Sequence, residues 1–479
     1  MKRLRRVALA VALLFMAPTL RGASPVDSFE ARFAAGTMRI DLFHTGGPVP
    51  EAFSVDRIVA DGPWSGSRTR LVDDTNLGAY LFLVLDPATN ATLFSRGYSS
   101  IYGEWETTDE APRTQRVFQE SLRFPWPRKA VQVVVKRRDK SNYFREVWST
   151  VVDPASPDVN PAPLTPLGKV FMIFENGPAT AKVDLLILGE GYSERELPKF
   201  HADAKRLVDV LFTHEPFKSR KKDFNVRGLD LPSAESGVTR PQSRIFRRTP
   251  LSVQYNIFGA ERYVLTYDDR ALRNAASATP YDFVEILVND AQYGGGGIYN
   301  FQSTVSVDTA FAEYVFVHEF GHHFAALADE YYTSDVAVAT GAAARPEPWE
   351  PNVTALSDPK RLKWLDLVPP GTPLPTPWDK ETFETQSRAV QAERRKMVAS
   401  GAPPSAFDEL FRKEKLVESK LLSQMAHSGK VGAFEGAAYE AKGLYRPATD
   451  CIMFTRDDVG FCPVCRRAIE RVIDLYAKP

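Results

Sequence analysis

The chain has 479 residues, which is too long for one ordinary hydrophobic core, so two or three domains are expected. Its apolar and charged fractions are those of a globular protein. Sixty basic residues balance 60 acidic residues, and this neutrality argues against nucleic acid or an anionic membrane surface as the main partner.

Residues 1–23 read as a secretion signal. A positive segment opens it, formed by Lys2, Arg3, Arg5 and Arg6. The apolar core from Val7 to Ala17 is far shorter than the roughly 20 residues of a membrane span. We therefore expect a secreted or periplasmic protein with no stable membrane anchor after cleavage. An uncleaved membrane anchor is the alternative.

Residues 24–152 are predicted to form a β-sandwich domain. The runs 79–85 and 92–95 are typical of a hairpin, and 130–135 with 144–151 make a second pair of strands. Several short strands at this spacing favour a sandwich. No catalytic constellation is visible in this domain.

Five prolines mark residues 153–166 as a linker, after which the pattern changes to α/β. Buried strands are predicted at 183–188 and 283–288, and a further strand at 223–231. Ser193 and Glu196 form a capping box that opens a helix. Residues 297–307 are predicted to be an edge strand, and such an edge can hold an extended peptide by added-strand pairing.

The segment from His318 to His322 reads His-Glu-x-x-His within an apolar, helical run that Asp308 or Thr309 would cap. Residues four apart share a helical face, so both imidazoles can point at one metal ion. Glu319 lies about 100° around the helix, where it can act as a base towards a metal-bound water. The alternative is a helix with satisfied core histidines and surface charges.

Residues 333–430 form an irregular insertion, rich in proline near 368–378 and charged and helical from about 380 to 425. We interpret the charged helix as a solvated face, with capping of a cleft as the alternative.

The C-terminal region holds all three cysteines, Cys451, Cys462 and Cys465. In an exported protein the favoured interpretation is a structural disulfide between Cys451 and one of the other two. Cys462 and Cys465, just ahead of a helical run, would also suit a redox dithiol. A second zinc site is a further interpretation, but it lacks a fourth ligand.

The segment 318–332, His-Glu-Phe-Gly-His-His-Phe-Ala-Ala-Leu-Ala-Asp-Glu-Tyr-Tyr, resembles the active-site signature of the metallopeptidase family whose founding member cleaves immunoglobulin A. Other segments are similar in a fixed order, namely 188–192, 232–237, 293–297, 434–437, 443–447, 451–453 and 461–465. The resemblance spans about 165–475. A β-sandwich ahead of the peptidase unit is also usual in that family.

The resemblance implies an α+β protein in which a zincin or metzincin-like α/β catalytic domain, residues 167–479, follows the sandwich. It implies a secreted zinc endopeptidase, with His318 and His322 as zinc ligands and Glu319 as general base. Met453 would form the methionine turn under the metal, and Tyr445 would stabilise the oxyanion. An ordinary core methionine and a buried tyrosine are the respective alternatives.

The third ligand is the open question, because Ala325 and Ala328 stand where metzincins carry glycine and histidine. Asp329 is the first choice and Glu330 the second, with a distant carboxylate as a further option. On a straight helix Asp329 would lie about 10.5 Å along the axis from His322. It can ligate only if the chain turns back after about Leu327.

We therefore expect a zinc-dependent endopeptidase that holds a protein or glycoprotein substrate along residues 299–306. The alternative is a metal-stabilised protein- or glycan-binding module with little or no proteolytic activity, although an intact Glu319 argues against it. An exported thiol-disulfide protein using Cys462 and Cys465 is a weaker hypothesis, since no thioredoxin-like pattern surrounds them.

Overall fold

The computed structural model describes residues 28–334 and 347–477. Within these residues the protein is a mixed α+β molecule with 16 strands and eight α-helices. The predicted signal segment 1–23 lies outside the described residues. None of the described helices combines the length and apolarity that crossing a bilayer would require.

The N-terminal part is almost entirely β-structure. Its elements are α1 (Phe29–Arg32), β1 (Phe33–Gly46), β2 (Ala52–Pro63), β3 (Tyr80–Leu85), β4 (Thr92–Tyr98), α2 (Ile101–Trp105), β5 (Arg116–Pro127), β6 (Val131–Arg138), β7 (Phe144–Val152) and β8 (Val159–Asn160). They form two four-stranded sheets, of order β5-β1-β2-β8 and β4-β3-β6-β7. The antiparallel pairs β3–β4 and β6–β7 confirm both predicted strand pairs.

One hydrophobic cluster joins the two sheets. Met38, Ile40 and Leu42 of β1 contribute from one sheet, and Tyr80 and Phe82 of β3 from the other. Burial alternates along β3, as expected for a strand with one face on a core. Within the predicted linker, β8 pairs in parallel with β2, so this proline-rich segment is partly held against the first sheet.

The second part of the chain is built around a six-stranded sheet and its helices. Its elements are β9 (Lys169–Phe174), β10 (Val183–Glu190), α3 (Leu197–Leu211), β11 (Phe224–Asp230), α4 (Asp269–Ala276), β12 (Phe283–Val288), β13 (Gly295–Ile298), β14 (Gln302–Ser306), α5 (Ala312–Ala325), α6 (Lys380–Ala399), α7 (Pro404–Ser423), β15 (Phe434–Ala437), β16 (Glu440–Arg446) and α8 (Pro463–Ala477). The sheet order is β13-β14-β12-β10-β11-β9.

The centre of this sheet is parallel and covered on both faces. Strands β11, β10, β12 and β14 run parallel, and all eight residues of β10 are buried. Alternate residues of β10 enter two different clusters, with Leu185 in one and Leu186 in the other. The predicted capping box of Ser193 and Glu196 is confirmed ahead of α3.

The free edge of the sheet is not where the sequence places it. β14 is paired on both sides, to β13 and to β12, so residues 302–306 cannot accept an added strand. The outer strand on this side is the glycine strand β13, and β9 is the outer strand on the other side. A Cβ at Gly297 would come within 2.3 Å of the Glu319 carbonyl oxygen, so glycine lets α5 lie directly on β13.

A buried polar network joins the N-terminal part to the rest. Arg39, which is fully buried, bonds Asp41, Asp61 and the side chain of Asn274 on α4. Next to it, an apolar cluster packs Tyr102 and Trp105 of α2 with residues of the second part. This contact fixes α2 beside the end of β13.

The charged insertion forms two long helices, α6 and α7, which pack against each other. Each helix has a buried row, Phe383, Ser387 and Gln391 on α6 and Phe411, Glu414, Glu418 and Leu422 on α7. The insertion is therefore not a wholly solvated face.

Candidate active site

Helix α5 carries the His-Glu-x-x-His motif. Its apolar sequence is buried on most sides, and it packs against β13 and β14. The helix begins at Ala312 with Phe311 at the N-cap and no side-chain cap, so the predicted caps Asp308 and Thr309 are wrong. The Ala312 amide bonds the Thr309 carbonyl oxygen instead.

A left-handed residue ends the helix. Ala326 has φ 53°, and its amide donates to the carbonyl oxygen of His322. Asn352 then holds the outgoing chain, since its side chain bonds both the N–H and the C=O of Ala328. This turn reverses the chain direction, which brings Asp329 back beside the histidines. The turn lies one residue before Leu327, and the left-handed residue is alanine where glycine is usual.

Three donor atoms meet beside the helix. The Nε2 atom of His318 lies 3.0 Å from Asp329 Oδ1 and 3.1 Å from His322 Nε2. His322 Nε2 lies 3.2 Å from the same Asp329 oxygen. Ligands about 2.0–2.1 Å from a tetrahedral ion are about 3.3 Å apart, so the three atoms fit one face of a metal tetrahedron.

The other nitrogen of each imidazole is already engaged. His318 Nδ1 lies 2.9 Å from the carbonyl oxygen of Ile452, and His322 Nδ1 bonds that of Leu327. A carbonyl requires a donor, so Nδ1 carries the proton and the Nε2 lone pair faces the cluster. The second oxygen of Asp329 accepts a hydrogen bond from the Tyr439 hydroxyl. These contacts orient all three candidate ligands.

Glu319 lies in the same cleft, next to His318 on the helix. Burial raises the pKa of its carboxyl group, while the neighbouring histidines lower it. A Cβ at Gly295 would lie 3.2 Å from Glu319 Cγ, so the carboxylate sits over the glycine strand. A carboxylate with a raised pKa suits proton transfer.

His323, the third histidine of the motif, is structural. Its Nδ1 lies 2.9 Å from the Ile298 carbonyl oxygen and its Nε2 accepts from the Val284 amide. Burial lowers its pKa to about 3, so the ring is neutral. It ties α5 to β13 and β12, and it does not face the other two histidines.

Glu330, the second choice for the third ligand, faces away from the histidine pair. Its Oε1 atom lies 3.4 Å from Cys465 Sγ, and its amide bonds the Met453 carbonyl oxygen. Asp329 therefore reaches the histidines and Glu330 reaches the cysteines.

The predicted disulfide is absent from the described residues, which include all three cysteines. Cys451, Cys462 and Cys465 are free and buried. The Sγ atoms of Cys451 and Cys465 are 3.9 Å apart, whereas a disulfide bond is about 2.05 Å long.

Met453, which the resemblance makes the methionine turn under the metal, packs against the motif helix. A Cβ on Gly321 would come within 3.0 Å of Met453 Sδ, so the thioether packs against α5 where this glycine leaves room. The residue is fully buried. Its predecessor Ile452 supplies the carbonyl oxygen that orients His318.

Tyr445 does not join the site. It lies in β16, where its amide and carbonyl pair with Thr354, and it is absent from the described lining of the cleft. Its neighbours Leu444 and Arg446 are buried, so its side chain points to the opposite face of the strand. Tyr439, which the sequence does not single out, takes the place near Asp329 instead.

The cleft has a volume of about 600 Å³, and three parts of the chain form its walls. Glu104 and Thr107 come from the N-terminal part, and Phe383 and Glu418 from α6 and α7. Burial raises the pKa of Glu104 to about 7, and Tyr263 donates a hydrogen bond to it. No local sequence pattern marks these walls, because distant segments bring them together.

Two family models match the chain. The model described as IgA Peptidase M64 matches residues 171–473, and the model described as Peptidase M64 N-terminus matches residues 28–149. No curated protein matches the chain. The first match alone covers more than half of the sequence, and it contains the histidine pair, Glu319 and Asp329. The chain therefore belongs to the IgA Peptidase M64 family.

Proposed function

We propose that the protein is a secreted zinc-dependent endopeptidase that cleaves protein or glycoprotein substrates. The observation that carries the proposal is the convergence of His318, His322 and Asp329, with Glu319 in the same cleft. Two imidazoles and one carboxylate are the donor set of a catalytic zinc site, which keeps one position open. A zinc ion there would act as a Lewis acid and lower the pKa of a water ligand.

The remaining steps fall to side chains of the chain itself. Glu319 takes a proton from the attacking water and returns it to the leaving amine nitrogen. Tyr439 keeps Asp329 oriented through its hydrogen bond. Ile452 and Leu327 keep the two imidazoles in the tautomer that leaves Nε2 free. Glu319 therefore transfers the proton, and the other residues position the metal ligands.

We further propose that the substrate lies extended along β13. This strand forms the edge of the six-stranded sheet, and Gly295 and Gly297 line the cleft. An isolated bridge between Tyr263 and Gly295 occupies one end of the edge. The N–H and C=O of Gly295 bond Arg262 and Val264, so the next outward-facing backbone groups are those of Gly297. An added peptide strand there would run past Glu319.

The walls support an endopeptidase with a selective cleft. α2 of the N-terminal part and the buried rows of α6 and α7 flank the strand, so a long substrate would contact both. We propose that the N-terminal part, with its two sheets packed as a sandwich, positions a large substrate ahead of a metzincin-like catalytic unit. We also propose that the protein is exported to the periplasm or the medium, because residues 1–23 have the pattern of a secretion signal.

The test compares the zinc-loaded chain with Glu319→Gln, which preserves side-chain size but cannot accept a proton as a carboxylate does. Both would be incubated with secreted glycoproteins and a proteome-derived peptide library, and new termini would be read by mass spectrometry. We expect cleavage by the wild type and at least about a 100-fold loss in the variant.

Metal content measured on both samples is the control. Equal zinc in the two proteins shows that the substitution spared the ligands. Absence of cleavage by either protein, with zinc bound, would contradict the peptidase proposal and leave a metal-stabilised binding module.

A further inference from the structure

A second group of metal-binding side chains lies behind the candidate active site. Glu330, Cys451, Cys462 and Cys465 each place a donor atom within 4.8 Å of all the others. All four residues are buried. They come from three separate segments, the turn after α5, the loop before Met453 and the start of α8.

The spacing of these atoms suits metal ligands and not a disulfide. Cys451 Sγ and Cys465 Sγ are 3.9 Å apart, and Cys465 Sγ lies 3.4 Å from Glu330 Oε1. Thiolates about 2.3 Å from a tetrahedral ion are about 3.8 Å apart, and a thiolate and a carboxylate oxygen about 3.5 Å apart. The two observed separations match these edges.

An unsatisfied polar atom points to the same conclusion. Glu330 has no exposed surface, and its Oε2 atom has no hydrogen-bond partner. An ionised carboxylate without full pairing is costly to bury, so this atom needs a cation or a proton. Asn352 donates to the other oxygen at 3.0 Å, and that bond orients the carboxylate.

Three features near the sulfur atoms favour negative charge there. The Cys462 amide donates to Cys451 Sγ at 3.3 Å. Cys465 lies in the first turn of α8, where the helix N-terminus favours negative charge. Arg446, which is fully buried, interacts electrostatically with Glu330 and Cys451. These groups partly balance the negative charge of three thiolates and a carboxylate.

We propose that Glu330, Cys451, Cys462 and Cys465 bind a second divalent metal ion of the zinc type. Four protein ligands leave no open position, so the site is structural. Binding forms four metal–ligand bonds, releases the thiol protons to solvent and changes no oxidation state. Glu330 is the fourth ligand that the cysteine spacing alone does not provide.

The site would connect the parts that build the first centre. Glu330 follows Asp329 directly, and its amide bonds the Met453 carbonyl oxygen at 2.8 Å. The Cys451 segment leads to Ile452, whose carbonyl oxygen lies 2.9 Å from His318 Nδ1. A metal that holds Glu330 to Cys451 therefore holds the Asp329 segment to the turn beneath α5.

The deciding experiment counts zinc in the full chain and in a variant that lacks the first centre, His318→Ala with His322→Ala. Both proteins would be purified under reducing conditions, equilibrated with zinc and desalted before elemental analysis. We expect two zinc ions per chain in the wild type and one in the double variant. X-ray absorption of the double variant should show sulfur at about 2.3 Å from zinc.

Adding Cys451→Ser to the double variant should remove the remaining zinc, while His427→Ala, at a histidine outside both groups, should leave it bound. A double variant that retains no zinc, or a remaining ion without sulfur ligands, would overturn the proposal. So would a disulfide among the three cysteines in mass spectra of the non-reduced protein. Because metal is counted without an activity assay, these outcomes do not depend on whether the protein cleaves peptides.

Discussion

Asp329 and Glu330 are neighbours in the chain, yet they belong to two different groups of donor atoms. Asp329 Oδ1 lies 3.0 Å from His318 Nε2, and Glu330 Oε1 lies 3.4 Å from Cys465 Sγ. The two carboxylates therefore point to different groups. The segment after α5 therefore joins the candidate active site to the cysteine group. Substitutions at Asp329 and at Glu330 should affect the two groups independently.

Asp329→Asn should disable the first centre. The amide has no negative charge to attract a cation, so we expect at least about a 100-fold weaker metal affinity and a matching loss of peptide cleavage. Chelator competition at the metal site measures the affinity. Asp458→Asn is the control, because Asp458 is exposed and pairs with Lys415 at the surface. Unchanged affinity in Asp329→Asn would place the third ligand elsewhere.

Tyr439→Phe should weaken metal binding without abolishing it. Loss of the hydroxyl frees Asp329 Oδ2, and loss of such an orienting contact typically costs about 10–100-fold in metal affinity or activity. Tyr445→Phe serves as the matched control, since Tyr445 lies on the far face of β16. Equal effects of the two substitutions in a metal titration would argue against the role of Tyr439.

Gly297→Ala should displace α5 from the edge strand. The new Cβ would meet the Glu319 carbonyl oxygen at 2.3 Å and His322 Cβ at 3.0 Å, and neither atom can rotate away. We expect a loss of about 2 kcal/mol in stability and strongly reduced cleavage. Denaturant unfolding and peptide assays measure these effects. Gly36→Ala meets only ordinary contacts at 3.8 and 3.9 Å and should change little.

Substitutions at Ala326 test the turn that brings Asp329 beside the histidines. Its φ of 53° suits glycine, but its methyl group is buried. Relief of about 1 kcal/mol of strain and loss of a similar burial energy should make Ala326→Gly close to neutral. Ala326→Val adds a β-branch at this φ and should cost about 2 kcal/mol. Thermal unfolding distinguishes them, and a neutral valine variant would contradict the assigned turn.

His44 should make stability depend on pH. Burial alone would lower its pKa, but Glu120 at 2.6 Å and Glu51 at 2.9 Å raise it above the usual value. A raised folded pKa gives stabilisation that is complete below about pH 6.5 and is lost as the pH rises through the folded pKa.

The matched variant is His44→Gln, which keeps hydrogen bonding but cannot carry charge. The difference in melting temperature between wild type and variant should be largest at about pH 6. It should shrink towards about pH 10, because His44 loses its charge between these values. A difference that grows with pH would contradict a charged His44 in the folded protein.

Local patterns predict the secondary structure well because their causes are local. Alternating and continuous apolar runs identify the hairpin β3–β4 and the buried strands β10 and β12. Ser193 and Glu196 form the capping box at their three-residue spacing. The edge strand is misplaced because an apolar run shows that a strand is buried, and not which neighbours pair with it.

The sequence by itself determined the two histidines and the glutamate of the motif, since four-residue spacing on a helix dictates a shared face. The sequence also ranked Asp329 ahead of Glu330 as third ligand, but only the tertiary structure decided which groups surround each carboxylate. Tyr439 meets Asp329 across 110 residues, and Cys465 meets Glu330 across 135. The choice between the two carboxylates depends on the left-handed conformation of Ala326 and on the clamp by Asn352. Such contacts leave no local periodicity, because packing between distant segments produces them.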